Sequence, residues 1–492
     1  MLRRATVTAA LAVSMLTQPG SAAAAPEPAL DRFYRQDLVW QPCGAADLDA
    51  AGAQCADVTV PLNYADPSGR TITVTVSRLG ATDPFRRQGV VMSNPGGPGG
   101  PGLDMQLILR EAYTSDVLAE YDLIGMDPRG VGRSAPINCQ WPVAGFRSSG
   151  ANAADYAKSV ATQSDLAQRC RNAAGDTLPN FTTRNTARDM DVIRGALGEE
   201  KINYVGGSYG TYLGAVFIQM FPERSDRMVL DSAVDPLRYG ANMLRDMGPA
   251  NEAALDAWAD WTAERDGDYH LGADRGRVRA AVADLIRRAG SQPIRIGAYE
   301  VDDKALPTLI FEPVARPRSY GELAAQLRQL IDAADGGTVQ PGPELDEALG
   351  RLLTGQPEDD SPTWVIMCND IPASRDPLEY WNNLEATRST QPVFGPLLNN
   401  ISPCAFWADP IEPPTQVRNA VPALIMQATG DTRTVYESGV ALHRAMTGSR
   451  LITVPNQRIH GLFGKFPCTT TAVNAYLADG TLPDTDLICE MN

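Results

Sequence analysis

Two rhythms of apolar and polar residues run through this 492-residue chain. "ADVTVPL" (56–62) and "TITVTVSRL" (71–79) alternate apolar with polar positions, as hairpin strands with one buried face do. "GVVMSNPGG" (89–97), "YDLIGMDPRG" (121–130), "INYVGGSYG" (202–210), "RMVLDSAV" (227–234), "PALIMQATGD" (422–431) and "RLITVPNQ" (450–457) are instead nearly continuous apolar runs ending in Gly, Asp or Asn. Such runs predict strands buried on both faces of a mostly parallel sheet. Helical periodicity fills several intervals, as in "TARDMDVIRGAL" and "TYLGAVFIQMF". Strands alternating with helices predict an α/β fold with helices flanking the sheet.

The alternation is interrupted between residues 236 and 414, where "NEAALDAWADWTAE", "RVRAAVADLIRRA", "GELAAQLRQLIDAA" and "LDEALGRLLTG" are all helical in pattern. This interval predicts a helical lid, or cap, inserted over one end of the sheet. The first residues, "MLRRATVTAALAVSMLTQPGSAAAAPEP", read as a secretory leader. Arg3 and Arg4 begin it, an apolar stretch follows at 5–17, and small residues mark a cleavage zone at 21–25. The apolar stretch is too short to span a bilayer comfortably. The organisation expected is a leader at 1–24, sheet domain at 25–235, cap insertion at 236–414 and sheet domain again at 415–492.

Composition narrows the partners. A net charge of −16 argues against nucleic acid, which needs a basic face. With no further membrane-length run, an exported, soluble, extracellular monomer is expected. Eight cysteines, at 43, 55, 139, 170, 368, 404, 468 and 489, suit an oxidising compartment. None forms a C-x-x-C pair, so a structural zinc site is not expected. Pairing sequence neighbours is the simplest connectivity: Cys43–Cys55, Cys139–Cys170, Cys368–Cys404 and Cys468–Cys489.

Candidate chemistry centres on "GGSYG", residues 206–210, which fits G-x-S-x-G between a strand and a helix. A serine on so sharp a turn needs small neighbours, and the helix start behind it offers amides to a developing oxyanion. Ser208 is the candidate nucleophile. Of three histidines, His270 lies in the cap region and His443 in a helical pattern, whereas His460 follows the last β-run and precedes a glycine. His460 is the candidate base. Asp431, just beyond a late strand and 29 residues before His460, is the candidate acid, with Asp231 and Asp235 as rivals. The glycine-rich "SNPGGPGG" (93–100) follows the third β-run, where an oxyanion loop belongs. Gly97 is the preferred donor there, ahead of Gly96, and the Tyr209 amide is the second donor. No Lys-Ser or Lys-Thr follows these glycines, so phosphate-loop chemistry is absent.

"NPGGPGG", "YDLIGMDPRGVGRS", "INYVGGSYGTYLG", "RMVLDS", "GDTRT" and "IHG" together resemble the α/β-hydrolase serine peptidases of the proline iminopeptidase and tripeptidyl aminopeptidase group. The likeness is greatest to the secreted bacterial tripeptidyl aminopeptidases and related mycelium proteases, and it runs from residue 43 to 489. It implies an α/β-hydrolase fold with a cap and a Ser208–His460–Asp431 triad. It also implies an oxyanion hole from Gly97 and Tyr209, with no metal or organic cofactor. Asp127 and Arg129 would brace the neighbouring loop. Pro101 and Val435 depart from the group's usual residues and are expected to reshape the pocket rim.

The activity implied is removal of short peptides from free N-termini. That requires a carboxylate for the substrate ammonium, for which Asp370, Glu379 and Glu385 in the cap region are candidates. Two other readings use the same sequence. A secreted carboxylesterase or amidase would share the triad and differ in its lid, and a hydrolase-like binding protein would lack a triad member.

Overall fold

The computed structural model describes residues 30–354 and 360–490; the expected leader at 1–24 lies outside them. Ten strands form one sheet. They are β1 (Gln41–Pro42), β2 (Gln54–Pro61), β3 (Thr71–Leu79), β4 (Gly89–Asn94), β5 (Tyr121–Met126), β6 (Ile202–Gly207), β7 (Ser225–Asp231), β10 (Ala423–Ala428), β11 (Ser449–Val454) and β12 (Leu487–Ile488). The other two, β8 (Ile294–Ile296) and β9 (Tyr299–Val301), pair as a small hairpin inside the cap.

The sheet order is β1-β2-β3-β5-β4-β6-β7-β10-β11-β12. The β1–β2, β2–β3 and β3–β5 pairs are antiparallel, and every later pair is parallel. Every residue of β4, β5 and β10 is buried, as helices on both faces require. The alternation read in β2 and β3 survives mainly in β2. Residues 76–78 of β3 pair with β5 as well as β2, so that end is enclosed on both edges.

This order creates the site. From β4 the chain crosses to β5 on one side and then returns to β6 on the other, so two exit loops diverge from one crevice. Asn94 at the end of β4 pairs with Gly206 at the end of β6. The glycine-rich loop and the serine turn are therefore neighbours by register.

Between β7 and β10 lies the helical excursion, with an apolar cluster of its own that includes Leu255, Trp258, Leu309, Leu327 and Leu349. Its helix Ser361–Asp370 is different. Trp364, Val365, Ile366, Met367 and Cys368 belong to the main core cluster beneath the sheet. The excursion between β5 and β6 also supports the cap: Tyr156 packs with Tyr380 and Leu384, and Ser149 donates its amide to the Pro396 carbonyl at 2.8 Å. All eight cysteines sit at bonding distance in neighbour pairs, Cys43–Cys55, Cys139–Cys170, Cys368–Cys404 and Cys468–Cys489.

Candidate active site

Ser208 stands between β6 and the helix Tyr209–Met220 with φ 56° and ψ −126°, a left-handed conformation that a side chain rarely takes. The turn is held by the Ser208 amide donating to the Asp231 carbonyl at 2.9 Å. Two glycines are dictated by contact. A Cβ on Gly206 would meet the Gly210 carbonyl at 2.5 Å, and one on Gly210 would meet the Asn94 carbonyl at 2.6 Å. Gly207 has room for a side chain, its hypothetical Cβ meeting only the Pro95 carbonyl in ordinary van der Waals contact at 3.5 Å.

Gly96 and Gly97 both have positive φ, 102° and 112°. A Cβ on Gly96 would lie 2.9 Å from Ser208 Cβ, which brings this loop against the serine turn. Gly97, Ser208 and Tyr209 line one cavity, whereas Gly96 is spent on an inward bond to Asn94 Oδ1 at 3.0 Å. The amides of Gly97 and Tyr209 have no acceptor among the described residues. Asp127 braces this loop as expected from its motif: Oδ1 accepts from the amides of Gly102 and Leu103 at 2.8 and 3.3 Å, and Oδ2 from Arg133 at 2.8 Å. Arg129 does not touch the loop. Fully buried, it grips Asp189 and the carbonyls of Pro61, Leu62 and Asn180. It fastens the β2–β3 hairpin to the helix Thr183–Ala196.

His460 Nδ1 bonds Asp431 Oδ2 at 2.8 Å. Asp431 is buried and well held, with Oδ1 accepting from the Arg433 amide at 2.8 Å and Oδ2 from Thr434 Oγ1 at 3.0 Å. Nε2 of His460 has no protein partner among the described residues, and His460 shares the Ser208 cavity. The rival Asp231 serves the same loop differently. Its carboxylate accepts from the amides of Leu462 and Phe463 at 2.7 and 2.8 Å, and Ser232 Oγ takes the Gly461 amide at 2.8 Å. Asp235 caps its own turn through the Leu237 amide at 2.8 Å. His443 bonds Ser449, and His270 ends a short cap helix; neither lines the cavity.

The acids expected to face a substrate ammonium are placed elsewhere. Glu379 and Glu385 are on the outer helix Pro377–Thr387, against Arg245 and Arg388. Asp370 is buried behind Tyr209: Thr183 donates its amide to Oδ1 at 2.7 Å and its hydroxyl to Oδ2 at 2.5 Å, and Thr183 Oγ1 is 2.5 Å from the Tyr209 hydroxyl. Burial pushes the Asp370 carboxyl up to about 7. The acids lining the cavity among the described residues are Glu312 and Asp360. Glu312 is flanked by Arg316 at 3.1 Å and Arg433 at 3.4 Å. Asp360 accepts from the Gly145 amide at 3.0 Å and Trp364 Nε1 at 3.3 Å. Asp360 precedes Ser361-Pro362, and an acidic residue followed by proline at a helix start was the available signal. Pro101 and Val435 do not line the cavity, so neither shapes its rim.

Residues 89–289 match the alpha/beta hydrolase fold family, and residues 391–489 match the TAP-like protein family. The tripeptidyl aminopeptidase of Streptomyces lividans is 34% identical over 487 residues, covering 93% of this chain and 87% of that protein. The chain belongs to the tripeptidyl aminopeptidase group of α/β hydrolases. Serine protease Hip1 of Mycobacterium tuberculosis is 28% identical over 488 residues, covering 92% of this chain and 91% of that one. Carboxylesterase B of the same species is 30% identical over 477 residues, covering 92% and 89%. The group thus spans peptidases and an esterase. With these relatives, this member is a serine hydrolase.

The cavity measures about 780 Å³ and has two kinds of wall. Phe146, Met243, Leu244, Met247, Trp364 and Met367 make it apolar, and a set of arginines and a lysine make the rest cationic. It is large enough for a short peptide. The cap supplies most of the apolar lining, and polar groups come both from the sheet loops (Ser208, Arg433, Arg458, His460, Lys465) and from the cap (Glu312, Arg316, Arg318, Asp360).

Proposed function

We propose that this protein is an exported serine exopeptidase that removes short peptides from free N-termini. The observation that carries the reading is the hydrogen-bonded Asp431–His460 pair, with His460 lining one cavity with Ser208 beside two amides that have no acceptor among the described residues. Ser208 Oγ attacks the scissile carbonyl as His460 Nε2 takes its proton. Asp431 holds Nδ1–H and stabilises the imidazolium that forms. The Gly97 and Tyr209 amides donate to the tetrahedral oxyanion. Collapse breaks the carbonyl–nitrogen bond, and His460 returns the proton to the departing amine. Water, deprotonated by His460, then hydrolyses the acyl-enzyme and regenerates Ser208. No step calls for a metal or an organic cofactor.

Asp360, fixed in the wall by Gly145 and Trp364, is the carboxylate we assign to the substrate ammonium. A fixed anion in the wall would set how many residues separate the substrate ammonium from the cut bond. Four disulfide pairs support export, because such bonds persist in oxidising compartments.

Chromogenic tripeptide and single-residue amides, each with free or acetylated N-terminus, test the reading. Release of intact tripeptide from the free-amine substrate only, lost in Ser208→Ala by at least about 10³-fold, is expected. Equal cleavage of acetylated substrates, or ester turnover without amide turnover, would leave a carboxylesterase-like hydrolase, the reading that the esterase relative favours.

A further inference from the structure

The cavity is basic although the protein carries a net charge of −16. Among the described residues its wall holds Arg316, Arg318, Arg433, Arg458 and Lys465 against Glu312 and Asp360. Two of the cations are committed. Arg433 lies over the Phe311 ring at 3.6 Å, donates to Asn251 at 2.9 Å and shares Glu312 with Arg316. The remaining three, Arg318, Arg458 and Lys465, have no carboxylate partner among the described residues. Arg458 donates to the Tyr320 hydroxyl at 3.2 Å and Lys465 to the His460 carbonyl at 2.9 Å, both neutral acceptors. Burial lowers the Lys465 pKa; the nearby charge of Asp231 opposes this, Arg318 and Arg316 add to it as like charges, and Asp431 opposes it again. Arg318 and Lys465 are exposed and Arg458 is half-buried, so these like charges gather at the open side of the cavity, where an arriving anion would be attracted by all three.

The position of the wall says which part of a substrate it meets. Arg458 and Lys465 flank His460 in the loop after β11, and Arg318 projects from the cap turn Pro317–Ser319 into the same cavity. His460 must deliver its proton to the leaving group, so the leaving fragment lies beside this loop.

We propose that Arg318, Arg458 and Lys465 form a carboxylate-binding subsite for the leaving fragment, so that substrates whose leaving fragment is anionic are cleaved preferentially. The inference rests on the hydrolase reading of Ser208 and His460. The carboxylate has two sources: the C-terminus of a short peptide, or an acidic side chain next to the cut bond.

The experiment uses the whole protein and three substrate pairs. Free-amine tetrapeptides ending in Gln are compared as C-terminal acid and amide. C-terminally amidated tetrapeptides are compared with Glu or Gln in fourth place. One acyl group is esterified to 4-hydroxybenzoate or to 4-hydroxybenzamide. Each is measured for wild type, Arg318→Gln, Arg458→Gln and Lys465→Gln, and the within-pair ratio of kcat/KM is the readout. The anionic member should win by on the order of tenfold in at least one peptide pair and in the ester pair. That ratio should shrink toward one in the variants and in about 0.5 M salt. A preference in the first peptide pair alone assigns the C-terminal source, and in the second alone the side-chain source. No anionic preference in any pair, or a preference that the variants leave intact, overturns the subsite. Esters that keep the preference while all amides stand uncleaved would overturn the exopeptidase reading and leave the subsite in place.

Discussion

Asp370 lies one hydroxyl behind Tyr209, through Thr183, and burial holds its carboxyl near 7. Tyr209, Tyr212, Tyr239 and Arg184 are the other titratable groups around it. The folded state thus keeps a proton that the unfolded chain releases near pH 4. Between pH 4 and 7 the folded state binds more protons, so this group's contribution to stability falls as pH rises and is smallest above 7. The full swing is on the order of 4 kcal/mol. Asp370→Asn removes it. The melting temperature of wild type relative to this variant should fall from pH 4 to pH 8, as calorimetry at several pH values would record. A relative rise would mean that Thr183 stabilises the ionised form instead. The same hydroxyl steadies Tyr209, whose amide we propose as the second oxyanion donor. Thr183→Val is therefore expected to lower kcat by about tenfold with little change in KM; a loss confined to KM would break that link.

The strand–turn–helix unit of β6 and Tyr209–Met220 sets a sharper demand at particular glycines. Gly210→Ala drives a methyl into the Asn94 carbonyl, pushing β4 and the helix apart, whereas Gly207→Ala makes only an ordinary contact with the Pro95 carbonyl. The first should abolish activity and lower the melting temperature by several degrees, and the second should retain both within about twofold. Circular dichroism melts with a chromogenic assay separate the two. At the next loop, Asp231→Ala strips the acceptor from the amides of Leu462 and Phe463. It should cost about 10–100-fold in kcat while KM changes little, because His460 loses its anchorage rather than the substrate its contacts.

Such units were readable because each repeats a local signal. The eight long strands were legible as apolar runs, and Ser208, Asp431 and His460 as residues just past strand ends. The two-residue β1 and β12 and the three-residue β8 and β9 were not, since so short a stretch carries no periodicity. The misplacement of Asp370 has the same kind of cause. "VIMCNDIP" identifies an acid at a helix end, but that this helix is buried on every face follows from tertiary packing alone. Asp360 and Glu312 went unread because which cap acids line the cavity depends on how the cap helices and two chain excursions settle together.

At the scale of the molecule, one helix joins the cap to the chemistry. Ser361–Asp370 begins with Asp360 in the cavity wall, presents Trp364 and Met367 to the cavity, and ends with Asp370 behind Tyr209. Cys368, two residues before that end, is bonded to Cys404 across 36 residues of chain, and both lie in the main core cluster. A loop of that size contributes about 4 kcal/mol by limiting the unfolded chain. Replacing both cysteines with alanine should lower the melting temperature accordingly. It should also loosen the helix that follows Asp360, our proposed ammonium acceptor, more than the turn that carries Ser208, since that turn is fixed by β6, β7 and the Asn94 contact. KM for free-amine tripeptide amides should then rise several-fold, while turnover of a small acetylated ester at Ser208 changes less. Kinetics on both substrates at a temperature where the variant is fully folded give the ratio directly. Equal losses on both would mean that the disulfide steadies the whole sheet domain, and that packing alone sets the position of Asp360.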